Sequence, residues 1–171
     1  MAEIAAYIAL GANLGDPAAQ VEAACGELAR LPETRLAARS ALYLSKPAGY
    51  IDQPDFINAV AQVLTRLSPR ALMAALLDIE ARHGRDRAFK NAPRTLDLDM
   101  LWYGGLACAS RTLTLPHPRM TQRAFVLAPL VDVLGGIGLP ASTLALPDEA
   151  ARARLAEAQG IECLGPLDWA N

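Results

Sequence analysis

Aromatic residues are scarce in this chain: Phe, Trp and Tyr make up 5% of its 171 residues. A ring set beside polar residues therefore asks for a reason. Cysteine is scarcer still. Cys25, Cys108 and Cys163 are odd in number and form no C-x-x-C pair, which excludes a disulfide framework and fits buried thiols in a reducing compartment. Neither sign of charge dominates. A net charge of −2 argues against a general nucleic-acid binder or a membrane-surface protein. Long apolar runs are missing too. The first, Ile4 to Leu10, is too short to span a bilayer and lacks a basic start, so no signal peptide is expected. There is no internal repeat and no low-complexity linker. A monomeric, cytoplasmic protein of one domain is expected, with no nucleic-acid or membrane partner. A 53% hydrophobic composition is enough for a sizeable core.

The pattern of elements follows from periodicity and punctuation. "EIAAYIAL" reads as a buried first strand, broken by "GANLGDP". Asp16 can cap a helix whose first turn accepts Pro17, and Val21, Ala24, Cys25, Leu28 and Leu31 follow at helical spacing. A second strand is expected over Thr34 to Leu44, then a loop, "SKPAGYIDQPD". Phe56 to Leu67 is a third strand. Ser68-Pro69 repeats the cap signal, and Leu72, Ala75, Leu76 and Ile79 form the stripe of a second helix that Gly84 ends. A fourth strand is expected over "PRTLDLDML", Pro93 to Leu101. Gly104-Gly105 suggests a hairpin turn, with short strands near Leu106 to Cys108 and Thr112 to Leu115. A short helix from about Met120 and a late one near Asp148 to Ala158 close the chain. The order predicts an α+β fold: a ferredoxin-like β-α-β-β-α-β core, a mostly antiparallel sheet with helices on its faces, and extra C-terminal elements.

The chemistry concentrates in "PRTLDLDML". On a strand, Asp97 and Asp99 share one face, roughly 6.5–7 Å apart. Their repulsion is about 0.6 kcal/mol in water and roughly 2–3 kcal/mol at an effective dielectric of 20. A solvated face tolerates that; so does a face turned to a cation, since Mg²⁺ binds through one or two carboxylates plus substrate phosphates. Arg82, Arg85, Arg87, Lys90 and Arg94 stand just before the pair. They could make surface ion pairs with Glu80 and Asp86, or clamp a polyphosphate. Metal ligands and guanidiniums together are what phosphoryl transfer needs. In "LPHPRMTQRAFVLAPL" His117 sits between two prolines, near Arg119 and Arg123, where it can face phosphate; Phe125 follows. In "DQPDFINAV" Asn58 interrupts an apolar strand. It is either a satisfied buried amide or a reader of a heterocycle's edge. Phe56 shares its face, so a ring stacker stands beside an amide.

Five segments, "YIALGANLGD", "DQPDFINAV", "IEARHGRDR", "APRTLDLDML" and "LPHPRMTQRAFVLAPL", occur in one order over roughly residues 5 to 133. This arrangement resembles the 6-hydroxymethyl-7,8-dihydropterin pyrophosphokinases of folate biosynthesis. The resemblance implies transfer of the diphosphate of ATP to the pterin's hydroxymethyl oxygen, leaving AMP. It implies that Asp97 and Asp99 hold two Mg²⁺ ions and, with Arg85 and Arg94, form the catalytic set. It places the pterin against Ser45, Ala48, Phe56, Asn58 and Phe125. It places ATP against Glu80, Arg85, Arg87, Lys90, Arg94, Met100, Thr114, His117 and Arg123. The Ser45–Pro54 and Gly84–Pro93 loops are expected to order over the substrates. Residues 134–171 are expected to be an extension packed on this domain. Two other readings of the same residues stay open: a kinase of this fold passing only the γ-phosphate, and a non-catalytic module whose charges form surface ion pairs.

Overall fold

The computed structural model describes residues 2–47, 51–84, 95–139 and 141–165. Three strands form the centre. β1 (Ile4–Ala12) pairs antiparallel with β4 (Phe56–Thr65) on one side and β5 (Asp97–Tyr103) on the other. β2 (Thr34–Arg39) and β3 (Tyr43–Ser45) pair in turn along the far side of β4. α1 (Pro17–Ala29) follows β1 and α2 (Pro69–Arg82) follows β4. This is the expected ferredoxin-like arrangement, in an α+β fold.

Both faces of the sheet are covered, which is why β1 and β4 read as nearly continuous apolar runs. Ala6, Ile8, Leu10 and Ala12 of β1 join Ile57, Ala59, Ala61 and Val63 of β4 beneath α1 and α2. The helices contribute Val21, Ala24, Cys25 and Leu28, and Leu72, Leu76 and Ile79. Each fully buried leucine contributes roughly 1.5–3 kcal/mol. The other face carries Tyr7, Val60 and Leu101, which pack against α3 (Ala124–Gly136). Both early helices begin as expected: the Asp16 carboxylate accepts from the Ala19 N–H at 3.2 Å, the Ser68 hydroxyl from the Ala71 N–H at 3.1 Å.

Four expectations need correction. The single strand over Thr34 to Leu44 is two strands, because Ser40, Ala41 and Leu42 stand opposite only Ala59 and Val60. The bulge is held by side chains: Ser40 Oγ accepts from the Val60 N–H at 2.9 Å, and Asp132 accepts from the Ala41 N–H at 2.7 Å. The helix expected from Met120 starts at Ala124, and it runs to Gly136 through Pro129. The hairpin strands are β6 (Cys108–Ala109) and β7 (Thr114–Leu115), each shorter and later than expected. Of the three thiols only Cys25 is buried, its pKa pushed up to about 12 chiefly by that burial. Cys108 is half-buried, and Cys163 is exposed on an unforeseen strand, β8 (Glu162–Cys163), paired with β3. Before it, α4 (Glu149–Gln159) is capped by Asp148 and ends at Gly160, whose φ of 68° the absence of a Cβ permits.

β5 is an edge strand, and its outward groups need partners. Glu80, on α2 and 3% exposed, accepts from the Leu98 N–H at 2.8 Å. The His117 N–H donates to the Leu101 carbonyl at 2.8 Å. Replacing Glu80 by Ala is expected to lower stability by about 1–3 kcal/mol, since it leaves a buried N–H unpaired. Glu80→Gln, which keeps an acceptor, should recover most of that in urea unfolding; equal midpoints for Glu80→Ala and the parent would contradict the bracing role.

Candidate active site

The register builds the site. Asp97 lies opposite Gly11, Gly11 opposite Asn58, and Asn58 opposite Tyr43. One step along, Asp99 faces Ala9, which faces Val60. Alternation turns Asp97, Asp99, Ala9, Gly11, Phe56 and Asn58 to the face away from α1 and α2. Carboxylates and amide thus stand two strands apart, roughly 10 Å, with only glycine and alanine between them. The floor is flat and low in its middle, as a planar ring requires.

The first residues of α3 wall this floor. Ser45, Lys46, Phe56, Asn58, Asp97, Asp99, Arg123 and Phe125 line one cleft of about 750 Å³, counting the part open to solvent. The Arg123 guanidinium lies over the Phe125 ring, 5.5 Å from its centroid, a cation–π distance. Asn58 is 5% exposed. Its Nδ2 donates to the Ser45 hydroxyl at 2.7 Å and, at 3.4 Å, to the Tyr43 carbonyl. The amide is therefore held by its donor end, and a ligand edge would meet its oxygen.

Gly11, in the cleft floor, and Asn13, just beyond the end of β1, are not among the residues the sequence singles out. A Cβ at Gly11 would stand 3.3 Å from Asn58 Oδ1, so the glycine leaves the amide its room. Asn13, 2% exposed, donates to Gln53 Oε1 and to the Pro54 carbonyl, both at 2.9 Å. It ties the turn after β1 to the chain entering β4. The signal for both was present: a glycine and an asparagine interrupting the apolar run of "YIALGANLG".

The other sequence-based candidates divide. Ala48, Arg85, Arg87, Lys90 and Arg94 lie outside the described residues. Met100, expected at ATP, turns its side chain to the helix side of the sheet, 3% exposed, because it alternates with Asp99. Only its backbone is left to meet a nucleotide. Thr114 is exposed on β7 and outside the cleft lining. Glu80 is in the core beneath β5. No group of three or more His, Cys, Asp or Glu that could hold a metal occurs among the described residues. A cation at Asp97 and Asp99 would draw its remaining oxygens from substrate and water, which is how Mg²⁺ binds beside phosphates.

His117 is half-buried, and its Nδ1 accepts from the Arg119 N–H at 3.2 Å. That fixes the neutral tautomer with the proton on Nε2. Burial first, then the Arg123 and Arg119 cations, hold its pKa below the ordinary value, while Asp97 pulls the other way. The unfolded chain binds this proton more readily than the folded one. The residue's contribution to stability is thus fully present above about pH 6.5 and lost as pH falls through the lowered folded value. The stability difference between the parent and His117→Gln should shrink from pH 7 to pH 5.5 in urea unfolding; a constant difference would contradict the neutral assignment.

The family model for 7,8-dihydro-6-hydroxymethylpterin-pyrophosphokinase (HPPK) matches residues 7–135. The 2-amino-4-hydroxy-6-hydroxymethyldihydropteridine pyrophosphokinase of Pseudomonas aeruginosa is 48% identical over 134 residues, covering 78% of this chain and 83% of that protein. The Haemophilus influenzae protein of the same name is 45% identical over 141 residues, 82% of this chain and 88% of the other. A solved HPPK-DHPS structure in complex with substrates superposes with a TM-score of 0.67 at 12% identity, a likeness of fold. It takes in 92% of this chain, which spans only 44% of that longer one. With its family model matched from Tyr7 to Gly135, and relatives above two-fifths identity over most of both chains, the chain belongs to the 7,8-dihydro-6-hydroxymethylpterin pyrophosphokinases.

Proposed function

We propose that the cleft over Gly11 is where this pyrophosphokinase moves the diphosphate of ATP to the hydroxymethyl oxygen of 6-hydroxymethyl-7,8-dihydropterin, giving AMP and the pterin diphosphate. Membership in the family makes the chain a folate-pathway enzyme of this class. The observation that carries the siting is the row Asp97–Gly11–Asn58, an acidic pair and an amide on one face with a low floor between. The pterin ring lies on that floor, stacked by Phe125 and Phe56, with its edge on the Asn58 oxygen. The reactive hydroxymethyl group then points to Asp97 and Asp99.

The acidic pair suits two Mg²⁺ ions, and bound there they would neutralise phosphate charge and lower the pKa of the hydroxymethyl oxygen. The chain's own residues supply position. Asp97 and Asp99 fix the oxygen's place, and the floor and walls exclude water from it. Arg123 meets the phosphate charge from the α3 side. The neutral His117 offers its Nε2–H as a donor and adds no charge. Arg85 and Arg94 complete the phosphate clamp from the basic loop.

Product analysis tests the reaction. With Mg²⁺, ATP and the pterin, AMP should form in step with pterin diphosphate; ADP would mean transfer of the γ-phosphate alone. Asp97→Ala should lower kcat by more than about a hundredfold while the fold is kept; near-normal turnover would remove Asp97 from the metal site. Gly11→Ala should weaken pterin binding roughly tenfold, about one hydrogen bond's worth, by displacing the Asn58 oxygen. Calorimetry with an ATP analogue present reads this, and unchanged affinity would place the pterin elsewhere.

A further inference from the structure

The family match ends at residue 135, yet α4 reaches back to the cleft. α3 begins without a cap of its own. Its N-cap residue is Arg123, whose side chain makes no capping hydrogen bond; a guanidinium has no acceptor to offer. The first N–H groups of a helix still need partners. The Ala124 N–H finds one in Gln159 Oε1 at 2.7 Å, and Gln159 Nε2 donates to the Gln122 carbonyl at 2.9 Å. One planar amide grips the backbone on both sides of Arg123, at Gln122 and at Ala124, the residue before Phe125. Gln159 is the last residue of α4. The next, Gly160, sits beside the aliphatic stem of Lys46, which its Cβ would approach to 3.9 Å, and the chain then enters β8 alongside β3. The end of α4 therefore meets both walls of the cleft.

We propose that Gln159 is a positioning residue for the pterin: its amide replaces the missing cap of α3 and so fixes the direction in which Phe125, and Arg123 over it, project into the cleft. This rests on the reading that Phe125 meets the pterin. A side chain that merely stabilised α4 would shift the unfolding midpoint without touching ligand affinity.

The test measures pterin affinity by calorimetry, with Mg²⁺ and an ATP analogue present, in Gln159→Ala, Phe125→Ala and the double variant. Gln159 is exposed, so its variants should fold, which circular dichroism checks. Gln159→Ala should weaken pterin binding about fivefold to tenfold, the factor a lost helix cap of ordinary strength sets. Gln159→Asn, one methylene too short to span both backbone groups, should fall with it. In the Phe125→Ala background the same change should cost almost nothing further, since its effect passes through the ring. Full affinity in Gln159→Ala, or a loss that adds to that of Phe125→Ala, would overturn the proposal alone. Full affinity in Phe125→Ala would overturn the pterin siting, and the role of Gln159 with it.

Discussion

The cleft depends on the antiparallel pairing of β1 with its two neighbours, and on one position in it. Gly11 stands between Asp97 on one side and Asn58 on the other. A slip of one residue would turn the carboxylates into the core and send Leu98 into the cleft. The helix-side core forbids that slip, because Ile8, Leu10, Ile57, Leu98 and Met100 are all buried there. The hydrophobic pattern that stabilises the sheet therefore also sets the site.

An edge strand is an awkward place for a pair of carboxylates that must hold its position, since half its backbone groups face outward. Here a carboxylate beneath the strand takes the Leu98 N–H, and the stiff Leu115–Pro118 segment supplies the His117 N–H to Leu101. Both partners hold β5 at the level of the aspartates. The same economy recurs at α3, where a side chain from the end of the chain caps the helix that walls the cleft. A cleft assembled from β1, β3, β4, β5 and α3 is kept in register by polar groups at its margins: the Glu80 carboxylate, the His117 N–H and the Gln159 amide.

Much of this was legible in the sequence, for physical reasons. The caps at Asp16 and Ser68 are local hydrogen bonds three residues long, so adjacency reveals them. Alternation along a strand places Asp97 with Asp99, and Phe56 with Asn58, from the sequence alone. It also implied that Met100 points away from Asp99, although the resemblance had set Met100 at ATP. What stayed hidden depends on long-range partners. The bulge at Ser40 needs Val60 and Asp132; the start of α3 needs Gln159, 35 residues later; β8 needs β3. The role of Gly11 emerges only when Asn58 arrives across the sheet.

The most direct measurement is a crystal structure of the protein with Mg²⁺, a non-hydrolysable ATP analogue and 6-hydroxymethyl-7,8-dihydropterin. The account predicts the pterin ring over Gly11, its edge within hydrogen-bond reach of Asn58 Oδ1, its hydroxymethyl oxygen beside Asp97 and Asp99, and metal ions between those carboxylates and the phosphates. A pterin bound away from the Asp97–Gly11–Asn58 row, or metal held without either aspartate, would contradict it.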